Sequence, residues 1–503
     1  MMARVAPSQG KLFPERKVAQ GLAKAQGYLE SQGIAAYLVG GYLRDHLLGR
    51  PSRDIDLTVA GDGLGVARGL SQILKGKLVV LDEVGGVARI VLGRKPQQWH
   101  LDISGFAGSI QEDLARRDFT VDAMALGLGE ALSLHSRQAL ADLPSFYDPF
   151  GGRRDTETGL VRAVSESAFP EDPVRLLRAV RLASQLEFSL EPGTARMVQR
   201  NAPLITTVAG ERLREELNGI IAPRGAGQAT LCLDSLGLLE PLLPELVTCQ
   251  GVAQPKEHHW DVFRHSIEAL SATEGLLRQS TQPQAALEAP WDEGLEDHFQ
   301  QEVASGVSRG LLLKWTALFH DLGKPSAKTV EAGGRIRFLG HSQVGAGQAR
   351  AILERLRFSS READHVAALV EHHLRPGQLL LLGQLSRRAV YRYFRDAGDV
   401  GLDAIFLFLA DYLATSGPAL NLEQWRQDLA QVTALLAQYF QERETISPPK
   451  LLDGHDIMKH FHLPPGPHVG KLLEAVREAQ ATREVSSREE ALALVEHTLR
   501  DLP

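Results

Sequence analysis

The strongest constraint on the fold is a change in hydrophobic periodicity about one third of the way along the chain. Short apolar runs with strand-like spacing lie within the first 160 residues, at 35–39, 55–59, 78–81, 89–92 and 99–103. After about residue 170, apolar residues recur at the spacing of amphipathic helices. The sequence therefore predicts an α+β protein, with a mixed sheet near the N-terminus and mainly helices beyond it.

Length and composition restrict the class of protein further. The 503 residues exceed what one hydrophobic core usually organises, so we expect several domains. Cys232 and Cys249 are too few for a disulfide framework or a cysteine zinc cluster. No run approaches the roughly 18 apolar residues of a membrane helix, and residues 1–17 contain no apolar core typical of a signal peptide. We therefore expect a cytoplasmic protein without a membrane partner.

The clearest chemical signal is a glycine turn followed by two aspartates. In a strand, side chains two residues apart point to the same face, so Asp54 and Asp56 should project together away from the core. Converging carboxylates repel each other unless a cation lies between them, and Mg²⁺ prefers such ligands and also binds nucleotide phosphates. Gly40 and Gly41 would let the backbone approach a triphosphate, with Arg44 adding positive charge. The pattern indicates phosphoryl transfer.

This segment resembles the class II nucleotidyltransferases, which comprise the CCA-adding enzymes and the bacterial poly(A) polymerases. The Gly-Gly-x-x-Arg-Asp turn at 40–45 and the Asp-x-Asp strand at 54–56 carry the resemblance. The run 116–125 resembles the family's second motif, which handles the sugar and triphosphate, and 147–152 resembles its hinge between head and neck. The resemblance implies that Asp54 and Asp56 bind Mg²⁺ and that the nucleotide is held by Gly40, Gly41, Arg44, Arg116, Arg117, Asp118 and Asp122.

Two further features of the first 110 residues bear on catalysis and specificity. Asp102 lies in a predicted neighbouring strand and is a candidate third catalytic carboxylate. Residues 82–89 fall where CCA-adding enzymes carry a flexible loop, although they match that pattern only loosely. Addition of CCA, of CC alone and of A alone therefore remain open.

A third motif begins the helical part of the chain. Asp172 followed by Pro173 is typical of a helix N-cap with proline at the first helical position. In the family that this chain resembles, the corresponding Glu-Asp-x-x-Arg segment selects the base, which implies nucleotide binding by Glu171, Asp172, Arg175 and Arg178. A carboxylate accepts from the amino group of cytosine or adenine, and a guanidinium donates to ring or carbonyl acceptors. We expect Arg181, on the same basic face, to contact RNA.

The second half of the chain contains a set of histidines and aspartates. His265, His320-Asp321, His341 and Asp411, with 371–373 between the last two, resemble the largely helical HD phosphohydrolase superfamily. The resemblance implies a divalent metal of unknown identity bound by His265, His320, Asp321 and Asp411. Imidazoles and carboxylates suit a transition metal or Mg²⁺, with bound water as the nucleophile.

Together these signals predict five regions. They are a flexible leader (1–20), a nucleotidyltransferase head (21–165), a helical neck and body (166–257), an HD domain (258–420) and a helical tail (421–503). Within the HD domain, 277–308 has weak periodicity and is interpreted as an insertion or mobile loop. In the tail, 464–471 is predicted to be a loop entering a helix, where Lys471 could hold an RNA phosphate.

The resulting functional hypothesis is a tRNA nucleotidyltransferase that adds C and/or A residues to the tRNA 3′ end. It would use CTP and ATP without a nucleic-acid template, by two-metal phosphoryl transfer. One alternative is a poly(A) polymerase of the same family. The other is an HD-domain phosphohydrolase that acts on RNA phosphates.

Overall fold

The computed structural model describes residues 12–500, apart from 14, 51, 95–96, 135–142, 144, 278–288, 305, 382, 384 and 442–449. Contacts divide the chain into two compact units. The first consists of Met1–Glu216 with Cys232–Leu242, and the second of Leu217–Leu231 with Leu243–Pro503. The boundaries near residues 216 and 231 fall inside the helices Gly210–Ile221 and Ala226–Ser235. The neck and body expected at 166–257 stay a prediction.

The first unit contains a sheet and the helices that cover it. Its strands are β1 (Ala36–Val39), β2 (Asp54–Ala60), β3 (Lys77–Asp82), β4 (Val87–Leu92), β5 (Trp99–Phe106), β6 (Ala125–Gly127), β7 (Leu160–Val161) and β8 (Ser189–Leu190). Its helices are α1 (Arg16–Ser31), α2 (Gly41–Leu47), α3 (Gly63–Leu74), α4 (Ile110–Ala115), α5 (Leu128–Ser133), α6 (Gly152–Thr158), α7 (Ala168–Glu171), α8 (Arg175–Leu186) and α9 (Pro192–Asn201). Helices α10 (Gly210–Ile221) and α11 (Ala226–Ser235) contribute to both units.

The mixed sheet expected near the N-terminus is confirmed. Six strands are ordered β3-β4-β5-β2-β1-β6, with β2 and β5 parallel and the other neighbouring pairs antiparallel. Helices α1, α3 and α5 pack on the apolar face, where residues such as Leu38, Ile55 and Leu101 form the core. The five strands predicted from short apolar runs are all present, and their ends lie within three residues of the predicted bounds.

The N-terminal part of the described chain is more ordered than a flexible leader. Helix α1 begins at Arg16, and the side chains of Leu12 and Phe13 are buried. Phe13 stacks on Tyr42 with ring centroids 5.9 Å apart, while the Tyr42 hydroxyl donates to the Leu12 carbonyl. The leader expected at 1–20 is therefore wrong from Leu12 onward, because these apolar side chains complete the core. Residues 1–11 lie outside the described residues.

The second unit is mainly helical, as predicted. Helix α12 (Leu239–Leu242) still belongs to the first unit. The helices of the second unit that follow it are α13 (Pro244–Val247), α14 (Val262–Leu276), α15 (Glu293–Gln300), α16 (Arg309–Phe319), α17 (Lys324–Ala327), α18 (His341–Arg355), α19 (Ser360–His372), α20 (Arg375–Leu380), α21 (Arg387–Ala397), α22 (Gly401–Ser416), α23 (Leu422–Gln441), α24 (Gly454–Phe461), α25 (Pro467–Ala481) and α26 (Arg488–Arg500). Short strand pairs are formed by β9 (Glu302–Ala304) with β10 (Val307–Ser308) and by β11 (Thr329–Val330) with β12 (Ile336–Arg337).

The segment interpreted as an insertion or mobile loop has regular structure where it is described. Helix α15 and the β9–β10 pair occupy most of its second half, and Leu295 and Phe299 are buried in the core around α22. The Asp292 side chain caps α15 by accepting from the Leu295 N–H. The mobile-loop interpretation is wrong for this part, because its sparse apolar residues are enough to anchor one helix. Residues 278–288 lie outside the described residues.

One stretch, Arg387–Ala419, passes a length and composition test for a membrane span. Its most apolar window is 61% buried inside the protein, and Gly398 separates it into α21 and α22. Burial of this kind is typical of a core helix, since a spanning helix would present its apolar surface to lipid.

Candidate active site and metal centre

Strand β2 holds the two predicted carboxylates on one face. Ile55 and Leu57 are each 1% exposed and point into the core, whereas Asp54 and Asp56 lie on the opposite face. The side chain of Asp54 is 64% exposed at the strand's beginning. The predicted alternation along this strand is confirmed.

Strand β5 brings a third carboxylate beside this pair. In the parallel register, Asp56 lies opposite Asp102 and Asp54 lies opposite His100. The His100 Nδ1 is 2.7 Å from Asp54 Oδ1. Arg89 on β4 donates from Nε and Nη2 to the two oxygens of Asp102, each over 2.8 Å. Asp102 thus neighbours the pair as predicted, while Arg89 and His100 were missed, because only the pairing of strands brings them to the site.

The electrostatics of this cluster favour a cation. Burial is the main cause that raises the pKa of Asp56, and the nearby carboxylates of Asp102 and Asp122 raise it further. The positive charge of Arg117 lowers this pKa but does not compensate, so it rises from 3.8 to about 7. A carboxyl group surrounded by other carboxylates in this way retains a proton unless another positive charge replaces it. The cluster therefore has the charge distribution of a divalent metal site.

The glycine turn approaches the carboxylates closely. Gly40 has a φ of +68°, and a Cβ there would lie 3.1 Å from Asp56 Oδ2 and 3.2 Å from Arg117 Nη1. Glycine is needed at this position both for its left-handed conformation and for the close approach. Arg44, on α2, bonds Asp45 over 2.9 Å and Asp122 over 2.6 Å. Burial raises the pKa of Asp122, and Arg44 opposes that rise.

These residues line a cleft of about 710 Å³ in the first unit. Its polar lining comprises Gly40, Gly41, Arg44, Asp54, Asp56, Arg89, Asp102, Ser104, Arg117, Asp118, Asp122, Arg178, Arg181 and Gln185. The volume is that of a small-molecule site. Five guanidinium groups beside carboxylates on adjacent strands suit a ligand that carries both phosphates and metal ions.

The structure does not bring every predicted nucleotide-binding residue into this cleft. Arg116, Glu171, Asp172 and Arg175 are not among the lining residues. Arg116 is largely exposed and bonds Asp113, and its carbonyl accepts from Arg175 over 2.9 Å. The Asp172 carboxylate accepts from Arg212 over 2.8 Å. Sequence reasoning did not identify Arg212 as this partner, since it lies 40 residues away.

Two arginines on α8 contact the cleft and are fixed by carboxylates. Arg178 bonds Asp118 over 3.0 Å and Glu216 over 3.3 Å. Arg181 bonds Glu216 over 2.6 Å and lines the same cleft, although the sequence pointed to an RNA contact. These ion pairs orient both guanidinium groups.

The N-cap expected at Asp172 is displaced in the structure. Helix α8 begins at Arg175 with Val174 at its N-cap position, whereas Asp172 is the C-cap residue that follows the short helix α7. The Asp172 carboxylate nevertheless accepts a backbone hydrogen bond from Val174. Burial opposes ionisation of Asp172, but the hydrogen bond and charge of Arg212, with a smaller contribution from Val174, lower its pKa. The prediction was wrong in position because Pro173 and Val174 form a turn before the helix.

The segment expected as a flexible loop forms a hairpin. Residues 83–86 connect β3 to β4, and Asp82 Oδ1 accepts from the N–H groups of Val84 and Gly85. This side-chain bonding is typical of a tight turn. Arg89, which bonds Asp102, follows the turn on β4. The hairpin therefore continues directly into the carboxylate cluster.

The second unit assembles the predicted histidine and aspartate set. His265 on α14 lies 3.3 Å from Asp321 and 3.0 Å from Asp411, and His320 lies 3.2 Å from Asp321. His265, His320 and Asp321 are at most 1% exposed. Ligand atoms of these three residues lie within 4.8 Å of one another, which is compatible with one bound ion.

Two more histidines belong to the same cluster: His341, which the sequence pattern includes, and His373, which lies in the run 371–373. His341 begins α18 and His373 follows α19, and both approach Asp321. Burial is the main cause that lowers the pKa of His373 to about 4. Burial also opposes protonation of His320, but Asp321 and Asp411 outweigh it and raise the pKa of His320 to about 10. Such a proton would be displaced when a metal binds.

Lys471, the residue of the tail that is predicted to contact an RNA phosphate, is exposed. Helix α25 begins at Pro467 after extended Gly466, which confirms a loop entering a helix. Lys471 lies in the second turn of that helix with its side chain exposed to solvent. Its proposed role in RNA binding stays a prediction.

Comparison with known families matches three parts of the chain. Residues 36–162 match the poly A polymerase head domain, 187–249 match a probable RNA and SrmB-binding site of polymerase A, and 262–416 match the HD domain. The first match contains the glycine turn and the three carboxylates. The third contains the whole histidine and aspartate cluster.

Complete proteins are similar over nearly the whole chain. An A-adding tRNA nucleotidyltransferase of Deinococcus radiodurans is 34% identical, over 93% of this chain and 96% of that protein. A CC-adding tRNA nucleotidyltransferase of Thermus thermophilus is 32% identical, over 92% and 93%. Among solved structures, a CCA-adding enzyme in an apo form shares the fold with a TM-score of 0.63 and 19% identity, over 97% and 96%. The Thermotoga maritima CCA-adding enzyme complexed with tRNA has a TM-score of 0.58 and 20% identity, over 96% of each chain.

Proposed function

Since this chain belongs to the tRNA nucleotidyltransferase family, we propose that it adds C and/or A residues to the 3′ end of tRNA, using CTP and ATP without a nucleic-acid template. The observation that carries this proposal is the placement of Asp54, Asp56 and Asp102 on adjacent strands beside a cleft lined by arginines. Such an arrangement suits the transfer of a nucleotidyl group from a triphosphate.

In the proposed reaction, the terminal 3′-oxygen of the RNA bonds to the α-phosphorus of the nucleotide. The bond from that phosphorus to the leaving pyrophosphate breaks, and the hydroxyl proton passes to solvent. Asp54 and Asp56 would hold Mg²⁺, which supplies positive charge beside the attacking and leaving oxygens. Arg44 and Arg117 lie on the glycine side of the cleft, where their charge would neutralise the triphosphate.

Selection of the base is proposed for Asp172 and Arg175. Cytosine and adenine present an amino group where uracil and guanine present a carbonyl, so a carboxylate acceptor would favour the first two. In the structure without nucleotide, Asp172 bonds Arg212 and Arg175 bonds the Arg116 carbonyl. Base recognition would therefore exchange these contacts for contacts to the nucleotide. Arg178 and Arg181 would face its phosphates or the RNA.

The nucleotides added can be determined with three tRNA transcripts that end before CC, before A and after the complete CCA. Each transcript is incubated with every labelled nucleoside triphosphate in turn. The proposal is supported if C or A is incorporated only into the transcripts whose next missing residue is that nucleotide. Long A-tailing of RNA that lacks the tRNA elbow would instead identify a poly(A) polymerase. No incorporation, or equal use of UTP, would reject the proposal.

A second function is favoured by the buried cluster in the other unit. We propose that His265, His320, Asp321 and Asp411 bind a divalent metal and support hydrolysis of a phosphate ester on RNA. Variants separate the two activities. His320→Ala should abolish hydrolysis and retain nucleotide addition, whereas Asp54→Ala with Asp56→Ala should do the reverse. Loss of both activities in either variant would contradict the assignment of separate sites.

A further inference from the structure

We propose that the edge strand β3 binds a second copy of this chain, with the two β3 strands paired antiparallel about a twofold axis. Strand β3 (Lys77–Asp82) is the outermost strand of the six-stranded sheet and pairs with β4 on one side. Its other side has no strand partner among the described residues. The unpaired backbone groups of such an edge are a template for pairing with another chain. This contact does not depend on the proposed reactions.

Exposed apolar side chains of the first unit are concentrated at this edge. In the described part of that unit, the exposed large aliphatic side chains are those of Ile73, Val79, Val80, Leu81 and Val84. Ile73 is on α3, which packs against β3, and Val84 is fully exposed in the turn that follows β3. Edge strands that stay unpaired are usually protected by charged side chains, proline or short length. An apolar patch confined to one edge instead marks a contact surface.

The pairing of β3 with β4 assigns the side chains of β3 to the two faces of the sheet, because cross-strand partners share a face. Lys77 pairs with Val91, Val79 with Arg89 and Asp82 with Val87. These three partners alternate along β4, so they lie on one face, which is that of the carboxylate cluster bonded by Arg89. The register shifts after Val80 and leaves Leu81 without a partner on β4. This bulge is what brings Asp82 to the same face as Lys77 and Val79.

The resulting arrangement is complementary to itself. With Val79 opposite Val79 of the second copy on the twofold axis, Leu78 lies opposite Val80 on the face of α3. On the other face, the bulge sets Lys77 opposite Asp82 of the second copy, and the symmetry forms this ion pair twice. Lys77 and Asp82 are both exposed, and the turn after β3 uses only Oδ1 of Asp82. Charge and apolar contacts therefore favour the same register.

The proposed pairing has a defined size and symmetry. Both copies use the same strand, so the contact closes at two chains and does not continue into a fibre. Two six-stranded sheets join into one continuous sheet, and the twofold axis is perpendicular to it. The carboxylate clusters of the two copies therefore lie on the same side of that sheet. One pair of strands with a few side chains is smaller than a standard stable interface, so we expect a dissociation constant in the micromolar range.

Sedimentation velocity of the full chain over a series of concentrations measures this dimer. Lys77→Glu and Asp82→Lys each place like charges opposite one another at two symmetric positions, so each should raise the dissociation constant by about 10-fold or more. The double variant exchanges the two charges and should return the constant to within about 3-fold of the wild type. Lys24→Glu makes the same charge change at an exposed position of α1 and is the matched control, with no change expected. Hydrogen exchange in the peptide 77–82 should slow as the concentration rises.

Circular dichroism establishes that each variant is folded. If Asp82→Lys disturbs the turn, Asp82→Asn keeps the oxygen that accepts from the turn and removes the charge, and it should also weaken the dimer. A wild type that stays monomeric up to about 100 μM would overturn the proposal. A dimer that leaves exchange at 77–82 unchanged, or that neither charge change weakens, would place the contact elsewhere and overturn it too. If the double variant stays as weak as the single variants, the pairing of Lys77 with Asp82 is wrong.

Discussion

Replacement of Asp56 by asparagine should make the metal-free protein more stable at pH 8. In the folded protein the pKa of Asp56 is about 7, against an ordinary value of 3.8. As the pH rises between these values, the unfolded chain loses this proton while the folded protein keeps it. Folding therefore becomes less favourable as the pH rises, which is the opposite of the usual behaviour of a paired carboxylate.

The magnitude follows from the size of the shift. Each pKa unit corresponds to about 1.4 kcal/mol, so the full penalty on the wild type above pH 7 is about 4 kcal/mol. About 3 kcal/mol of it should develop between pH 5 and pH 8. Asparagine does not titrate, so the advantage of Asp56→Asn over the wild type should grow by this amount over the same interval. Saturating Mg²⁺ should reduce the advantage, since the proposed Mg²⁺ site is formed by the folded wild type and not by the unfolded chain.

The free energy of unfolding can be followed in the head itself through the urea dependence of hydrogen exchange in peptides from β2 and β5. Measurements are made in EDTA at pH 5 and pH 8, and then with Mg²⁺. Asp54→Asn is the matched control, because its carboxylate is mostly exposed on the same strand. An advantage of Asp56→Asn that is equal at both pH values would refute the assignment of this proton to Asp56.

Three other substitutions have defined outcomes. Arg44→Met should destabilise the first unit by about 3–5 kcal/mol, because Asp122 stays buried without its cation; a loss below about 1 kcal/mol in urea unfolding would contradict this. Lys314→Met should destabilise the second unit by about 3 kcal/mol, since its buried ammonium donates to three successive carbonyls from residue 221 to 223. The exposed control Lys328→Met should stay within about 0.5 kcal/mol in the same thermal or urea measurement. Asp172→Ala should reduce the preference for CTP over UTP by about 10-fold or more, measured as the ratio of kcat/KM values, and an unchanged ratio would remove this residue from base selection.

Much of the head could be predicted because its strands and its glycine turn are each recognisable from a short segment of sequence. The strand that carries Asp54 and Asp56 is defined by its own alternation, and the glycine turn by its own residues. Arg89 and His100 could not be predicted in the same way. Their contacts depend on which strands pair and in which register, and the sequence of a single strand does not contain that information.

The histidine and aspartate cluster of the second unit shows the same contrast between features that one segment of sequence reveals and contacts that depend on how segments pack. Its histidines and aspartates were identifiable from their motif, but the approach of His341 and His373 to Asp321 depends on where α18 and α19 begin and end. Helix α15 was missed because few apolar residues mark it, and its side chains are held by a core that distant segments build. The α8 boundary was misplaced because proline is compatible with both a turn and a first helical position.

The pairing of β2 with β5 links folding of the head to its chemistry. Ile55 lies opposite Leu101 in the same register that sets Asp56 opposite Asp102. A slip of one residue would bury Asp102 and turn Leu101 toward solvent, so the apolar interior alone selects the alignment of the acidic groups. Selection for a well-packed interior therefore also maintains the arrangement of the three carboxylates. A substitution among the apolar side chains of β2 and β5 could therefore inactivate the enzyme without removing any polar atom.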